Sequence, residues 1–279
     1  MSGMLYLVPT PIGNLSDISD RCRKTLEEAD FIAAEDTRVS LRLLNHMEIK
    51  KPLVSYYEHN KEVSGPKIVS RILEGETCAL VSDAGSPAIS DPGEDLVRLC
   101  AEAGIPVCAI PGPCAAITAL SISALPTGRF CFEGFLSTNK KSRQAHLQSL
   151  LGETRTMIFY EAPHKLKGTL KDLSAAFGED RKISLCRELT KLHEEVLRTT
   201  LSGAIEHYTT TPPKGEFVLV IEGAPPAQEE EYTLEDGLEL VDKLQAEGAS
   251  TRDAVKQAAA AYKLSKKALY DLAIARKDN

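Results

Sequence analysis

An α/β architecture in two parts with a small helical end is what this 279-residue chain predicts, and three observations carry it. Short apolar runs alternate with amphipathic stretches over the first 127 residues, the pattern of a mainly parallel sheet covered by helices. Past Gly128 the strand signals crowd together with two helices between them, which reads as a second α/β domain with a mixed sheet. After a proline-then-acid stretch, three helix-sized segments finish the chain. The implied divisions are an N-terminal α/β domain at 1–127, a second at 128–223, a linker at 224–232 and a helical domain at 233–279.

The first strand is the apolar run 5–8, closed by the loop P-T-P-I-G-N at 9–14. Residues 15–29 are amphipathic, 31–34 form a strand, and E-D-T-R at 35–38 leads into a helix through Leu44. The strand 78–81 breaks into a loop, 82–93, holding Gly85, Gly93, Pro87, Pro92, Asp83 and Asp91, with a helix at 94–103 behind it. The strand 106–110 ends in P-G-P-C-A-A, where Ala115 and Ala116 open a helix of small residues. In open α/β sheets ligands sit beyond the carboxyl ends of the strands, where these three loops fall. Glycine and proline let backbone approach a ligand and hold the loop there. No phosphate-binding glycine pattern is present, so the pocket holds its ligand through backbone groups and small side chains.

In the second half, residues 129–136 alternate as a strand and S-T-N-K-K-S-R at 137–143 reads as a polar, basic loop. Further strands fall at 156–160, 183–187, 195–200 and 216–222, with helices at 164–177 and 202–208. In the tail, Leu234, Leu238, Val241 and Leu244 share one helical face. Gly248 ends that helix, Ser250 and Asp253 form a capping box for the next, and Ser265 opens a third bearing Lys266, Lys267 and Tyr270. Three short helices with a basic last member resemble a helix-turn-helix unit.

Composition excludes several classes. Apolar residues make up 43% and charged ones 26%, and no apolar run is long enough to cross a membrane or serve as a signal peptide. The seven cysteines lie singly without a C-x-x-C pair, as reduced residues of a cytosolic protein, and no metal-ligand cluster is visible. The net charge of −7 argues against indiscriminate coating of nucleic acid, yet residues 250–279 alone carry +4. That basic end reads either as a docking surface for nucleic acid or as a solvated helical face.

The ordered blocks V-P-T-P-I-G-N (8–14), A-E-D-T-R (34–38), V-S-D-A-G-S-P-A-I-S-D-P-G (81–93) and I-P-G-P (110–113) resemble the bacterial 16S ribosomal RNA (cytidine-2'-O)-methyltransferase family. That family lies within the tetrapyrrole-methylase-like class. The blocks F-E-G-F-L (132–136), F-Y-E-A-P-H (159–164), C-R-E-L-T-K (186–191) and G-E-F-V-L-V-I-E-G (215–223) extend the likeness over most of residues 4–223. Thr138 and Lys165 depart from the proline and arginine usual at their positions. The resemblance implies S-adenosylmethionine as methyl donor, a decoding-centre cytidine of the small ribosomal subunit as acceptor, a homodimer, and two α/β domains with the donor in the cleft between them. Carried over block by block, the donor contacts are Pro11, Asp83, Ala84, Gly85, Ser86, Ala88, Gly112, Pro113, Cys114, Ala115, Tyr160, Glu161, Ala162, Pro163, Glu216 and Phe217.

Methyl transfer to a ribose hydroxyl needs alignment and a base that removes the proton. Glu35, Asp36, Asp91, Glu161 and Glu188 all fall at or near strand ends. The Glu35–Asp36–Arg38 block is the first choice for catalysis, with Arg38 placed to orient an RNA phosphate; its alternative is a helix N-cap with a charged first turn. His164, at the start of a helix, reads as structural or RNA-contacting, and Arg187 with Glu188 as a buried ion pair. Lys140, Lys141, Arg143, Lys266, Lys267 and Arg276 are the expected RNA contacts. Two competing readings stay open here: a methylase of a tetrapyrrole or other small molecule on the same fold, and a nucleic-acid-binding regulator without catalysis.

Overall fold

The computed structural model describes residues 3–225 and 232–276. The proline-acid linker read at 224–232 falls largely at 226–231, outside the described residues. Contacts divide the chain into a unit of Met1–Ala224, holding two five-stranded sheets, and a helical unit of Pro225–Asn279.

The first sheet comprises β1 (Leu5–Leu7), β2 (Phe31–Ala34), β3 (Leu53–Ser55), β4 (Cys78–Val81) and β5 (Val107–Ala109) in the order β3-β2-β4-β1-β5, with every pairing parallel. The crossovers are α1 (Asp20–Glu28), α2 (Thr37–His46), α3 (Lys61–Leu73) and α4 (Glu94–Glu102). Alternate residues face opposite cores. Ile32, Ala34, Ala79 and Val81 pack on one side, Phe31, Ala33, Cys78 and Leu80 on the other. A sheet covered on both faces explains why its strands read as unbroken apolar runs.

The second sheet takes β6 (Phe130–Phe135), β7 (Thr156–Glu161), β8 (Lys182–Arg187), β9 (Glu195–Thr200) and β10 (Phe217–Ile221) in the order β6-β7-β10-β8-β9. Its β6–β7 pair is parallel and the other three are antiparallel, the mixed sheet expected. One face carries α6 (Lys140–Ser149), α7 (Pro163–Phe177) and α8 (Leu201–Thr210) on a core that includes Met157, Phe159, Leu185 and Leu219. The other face receives α5 (Ala115–Ile122), whose Ala116, Ala119 and Leu120 pack on Ile158, Cys186 and Val218. The helix that follows the first sheet's last strand thus lies on the second sheet. This places the end of β5 over β7, β10 and β8, and the candidate site follows from it.

Four expectations change. The amphipathic stretch 15–29 is not one helix: a single 3-10 turn, Leu15–Asp17, precedes α1, which restarts where Ser19 accepts the Cys22 amide at 3.1 Å. Residues 137–143 are not a loop, because Asn139 caps α6 through the Ser142 amide at 3.1 Å and places Lys140 and Lys141 in its first turn. Three helices therefore intervene between the strands of the second sheet, where two were expected. Arg187 and Glu188 do not pair: Arg187 binds Glu195 at 2.9 Å, while Glu188 takes the Lys191 ammonium at 2.9 Å. The reciprocal capping box lies one helix earlier than read, at Thr233 and Asp236, which opens α9 (Leu234–Ala246). Ser250 still accepts the Asp253 amide at 3.2 Å at the start of α10 (Thr251–Ala261). Of the leucine stripe read on α9, Leu238 and Val241 are buried, against Val255 and Ala258 of α10 and Leu269 of α11 (Lys266–Ala275).

Candidate functional site

Three loop ends converge where α5 crosses to the second sheet. Thr10 and Gly85 exchange backbone hydrogen bonds of 2.9 and 3.0 Å, tying the first loop to the second. The Ser86 hydroxyl donates to the Pro113 carbonyl at 2.9 Å, tying the second to the third. The second loop is tightly wound: Gly85, Ala88, Ser90 and Gly93 have φ of +88°, +68°, +61° and +150°. Left-handed alanine and serine cost of order 1 kcal/mol or more each, a strain of the kind found at binding sites. On the opposite side Gly13 abuts the turn after β8, where a Cβ would stand 2.4 Å from Lys191 Cγ. That turn is held by Lys191, whose ammonium binds both Glu188 and Glu216 at 2.9 Å.

Between these loops and the second sheet lies a cavity of about 370 Å³, within the range of small-molecule sites. Of the expected donor contacts, Ala84, Gly85, Ser86, Cys114, Ala115, Tyr160, Glu161, Ala162, Pro163, Glu216 and Phe217 line it. Five do not. Pro11 and Asp83 face a neighbouring cavity. Pro113 contributes its carbonyl to Ser86, Ala88 packs against the Gly93 backbone, and Gly112 sits where a Cβ would meet the Pro9 ring at 2.7 Å. Sequence reasoning passed over Ile12, Ile89, Ser90, Phe135, Cys186, Leu189 and Val218, which with Asp91 complete the wall.

The polar groups of the cavity are fixed. Tyr160 is pressed edge-on by Phe132 and Phe135, with ring centroids 5.0 and 5.5 Å away, and its hydroxyl accepts the Ala116 amide at 3.1 Å. Burial pushes that hydroxyl up to about 12. The Glu161 carboxylate is 5% exposed and takes the Ala162 amide at 2.8 Å and the Thr169 hydroxyl at 2.5 Å, which orients it at the head of α7.

Asp91 differs from these. It lines the cavity, and burial together with the Glu35 carboxylate pushes it up to about 6. Because β2 and β4 are neighbours, Glu35, Asp83 and Asp91 form one acidic cluster in which burial raises every member. Asp36 borders it, donating its amide to Asp83 at 3.1 Å, but its carboxylate is engaged elsewhere. Asp36 caps α2 and takes the Arg38 guanidinium in a forked pair of 3.0 and 2.6 Å, and those bonds hold its carboxyl at about 2.

The expected RNA contacts are scattered. Lys140 and Lys141 are exposed at the head of α6, whereas Arg143 pairs with Asp172 at 2.8 Å. Lys266 and Lys267 are exposed in the first turn of α11, and Arg276 binds Asp242 at 3.1 Å. His164 is exposed in the first turn of α7. Among the described residues no group of side chains suits a metal ion, and no helix is long and apolar enough to cross a membrane. All seven cysteines are free thiols.

Comparison with known proteins places this geometry. Residues 4–205 match the tetrapyrrole (corrin/porphyrin) methylase family. The chain is 48% identical to a ribosomal RNA small subunit methyltransferase I of Synechocystis sp. over 98% of each chain. It is also 48% identical to one of Halalkalibacterium halodurans, over 97% of this chain and 94% of that one. A uroporphyrin-III-C-methyltransferase from Thermus thermophilus shares the fold at a TM-score of 0.57 and 20% identity, over 79% of this chain and 94% of that one. The chain belongs to the tetrapyrrole methylase family and, within it, to the group of ribosomal RNA small subunit methyltransferase I proteins.

Proposed function

We propose that this protein is a cytoplasmic homodimer that methylates the ribose 2'-oxygen of a cytidine in the 16S rRNA of the small ribosomal subunit, with S-adenosylmethionine as donor. The observation that carries the reading is the cavity at the joined loop ends, in a chain nearly half identical over its length to enzymes named for small-subunit rRNA methylation. The cavity fits the donor. Ala84, Gly85, Ala115 and Ala162 leave room for close backbone approach, Ile12, Leu189 and Val218 offer apolar surface, and Glu216 sets a carboxylate at the wall for the donor's cationic end.

When bound, S-adenosylmethionine supplies a methyl group on a positively charged sulfur, and the acceptor hydroxyl must lose its proton as it takes that group. Asp91 is the group suited to receive the proton. At neutral pH it is mostly ionised, yet it is more basic than an ordinary carboxylate, which favours general-base action. Glu35 raises that basicity from beside it, and the paired Asp36 and Arg38 fix the start of α2 behind it. The exposed lysines of α6 and α11 serve as phosphate contacts.

The test is to incubate the protein with methyl-labelled S-adenosylmethionine and purified small subunits and to map the label. Label at the 2'-oxygen of one cytidine is expected. Label on a base, or label taken only by a tetrapyrrole, would overturn the reading.

A further inference from the structure

A second cavity, of about 290 Å³, opens beside the first. The same loops wall both: Thr10 and Asp83 line the second, Gly85 and Ala84 the first, so the Thr10–Gly85 backbone pairing runs along the divide. Val39, Leu43 and His46 reach it from one face of α2, at a spacing of four and three residues, and Leu15 closes it from the 3-10 turn. Leu15 and Val39 remain 48% and 37% exposed, an apolar surface left open to a ligand.

Thr10 and Ser82 donate their hydroxyls to the Ser82 and Gly85 carbonyls, but other polar groups of the lining are short of partners. Ser40 is 4% exposed, and its hydroxyl has no hydrogen-bond partner among the described residues, a condition buried polar atoms rarely keep. Asp83 accepts the Asp36 amide on one oxygen at 3.1 Å, leaving its second oxygen available. Arg42 and His46 add cationic or protonatable groups at the rim, and among the described residues neither enters an ion pair.

We infer that this second cavity receives the base of the acceptor nucleotide, a pyrimidine carrying an exocyclic amino group, so that its ribose crosses the Thr10–Gly85 divide toward the first cavity. Leu15, Val39 and Leu43 take the flat faces of a base drawn out of its stack. The open oxygen of Asp83 accepts the amino group, a pairing that suits cytosine and fails for uracil, which presents a carbonyl there. Ser40 supplies a hydroxyl to the base edge, and Arg42 binds a flanking phosphate. The inference rests on the proposed rRNA reaction and names a site for its acceptor.

Two measurements test it on the full chain. Titration with cytidine 5'-monophosphate, followed by amide NMR shifts, is expected to move residues 39–46 and 82–83, and uridine 5'-monophosphate to bind at least several-fold more weakly. Shifts confined to the first cavity, equal binding of the two nucleotides, or no shift at millimolar ligand would overturn the assignment. Leu15→Trp, which fills the cavity, and the exposed Arg42→Gln should each raise KM for small subunits about tenfold while S-adenosylmethionine affinity by calorimetry stays within twofold. Wild-type KM in both variants also refutes the site. A wild-type enzyme that methylates no RNA refutes the proposed function instead, and the nucleotide titration still decides what the cavity holds.

Discussion

Replacing Asp91 by Asn tests the proposed chemistry most directly. A carboxyl that titrates at about 6 is about nine-tenths ionised at pH 7 and about one-tenth ionised at pH 5. If Asp91 is the base, the rate of methyl incorporation should fall about tenfold between those values, with its acid limb centred near 6. An unperturbed aspartate would place that limb near 4 and leave the rate flat over the interval. Asp91→Asn should lower turnover by about two to four orders of magnitude and remove the limb, because the amide cannot take the proton. Glu35→Gln is the sharper control. It deletes the charge that, after burial, does most to raise Asp91, so the limb should move to lower pH while substantial turnover remains. The assay is the initial rate of label transfer to small subunits from pH 5 to 8, with calorimetric donor affinity measured in parallel. Wild-type turnover in Asp91→Asn, or a limb unmoved by Glu35→Gln, would refute the reasoning.

Gly85→Arg should abolish S-adenosylmethionine binding in a folded protein, since residue 85 lines the cavity at φ +88° and a Cβ there lies 3.2 Å from Ile12 Cγ2; calorimetry on the purified variant checks it. Gly112→Arg should instead lower thermal stability, because its side chain is driven into Pro9 and away from the cavity wall. Thr169→Val should cost about 1–3 kcal/mol in urea unfolding, as the buried Glu161 carboxylate loses a donor. Deleting residues 233–279 should weaken binding to small subunits and flatten its salt dependence without altering donor affinity, read by filter binding over a salt series. A Lys266/Lys267/Arg276 neutral variant, joined by Lys277 from outside the described residues, should reproduce much of that loss.

The parts most legible in the sequence were the strands buried on both faces. Runs such as 31–34 and 78–81 are unbroken apolar stretches bounded by polar residues, and they leave one reading. The half-buried edge strand β3 has three residues, and α3 carries Pro66 within it, so neither gave a periodic signal. Residues 137–143 looked like a loop because α6 buries little beyond Leu147. The first cavity was half legible. The three loops were visible, but the residues from β6, β8 and β10 enter it through α5 crossing to the second sheet, a packing no local pattern encodes. The acid pair 35–36 drew attention to itself by adjacency. What singles out Asp91 is that β2 and β4 are hydrogen-bonded neighbours, which sets the two loop ends side by side.

Gly13 has a meaning beyond its own loop. It touches the turn 189–191, and that turn belongs to the wall opposite the glycine's own sheet. The bare hydrogen at this position therefore acts as a spacer gauge: it fixes how near the two halves of the body come, and so the breadth of the space in which donor and acceptor would have to meet. Lys191 gives the gauge a firm seat, since both its acidic partners are anchored around β10 and its stem cannot swing clear without breaking two ion pairs. In the proposed reaction, the reach between donor and acceptor would be set in part from a residue absent from the cavity wall. A single added methyl at residue 13 would change the chemistry's geometry while leaving every group that performs it in place.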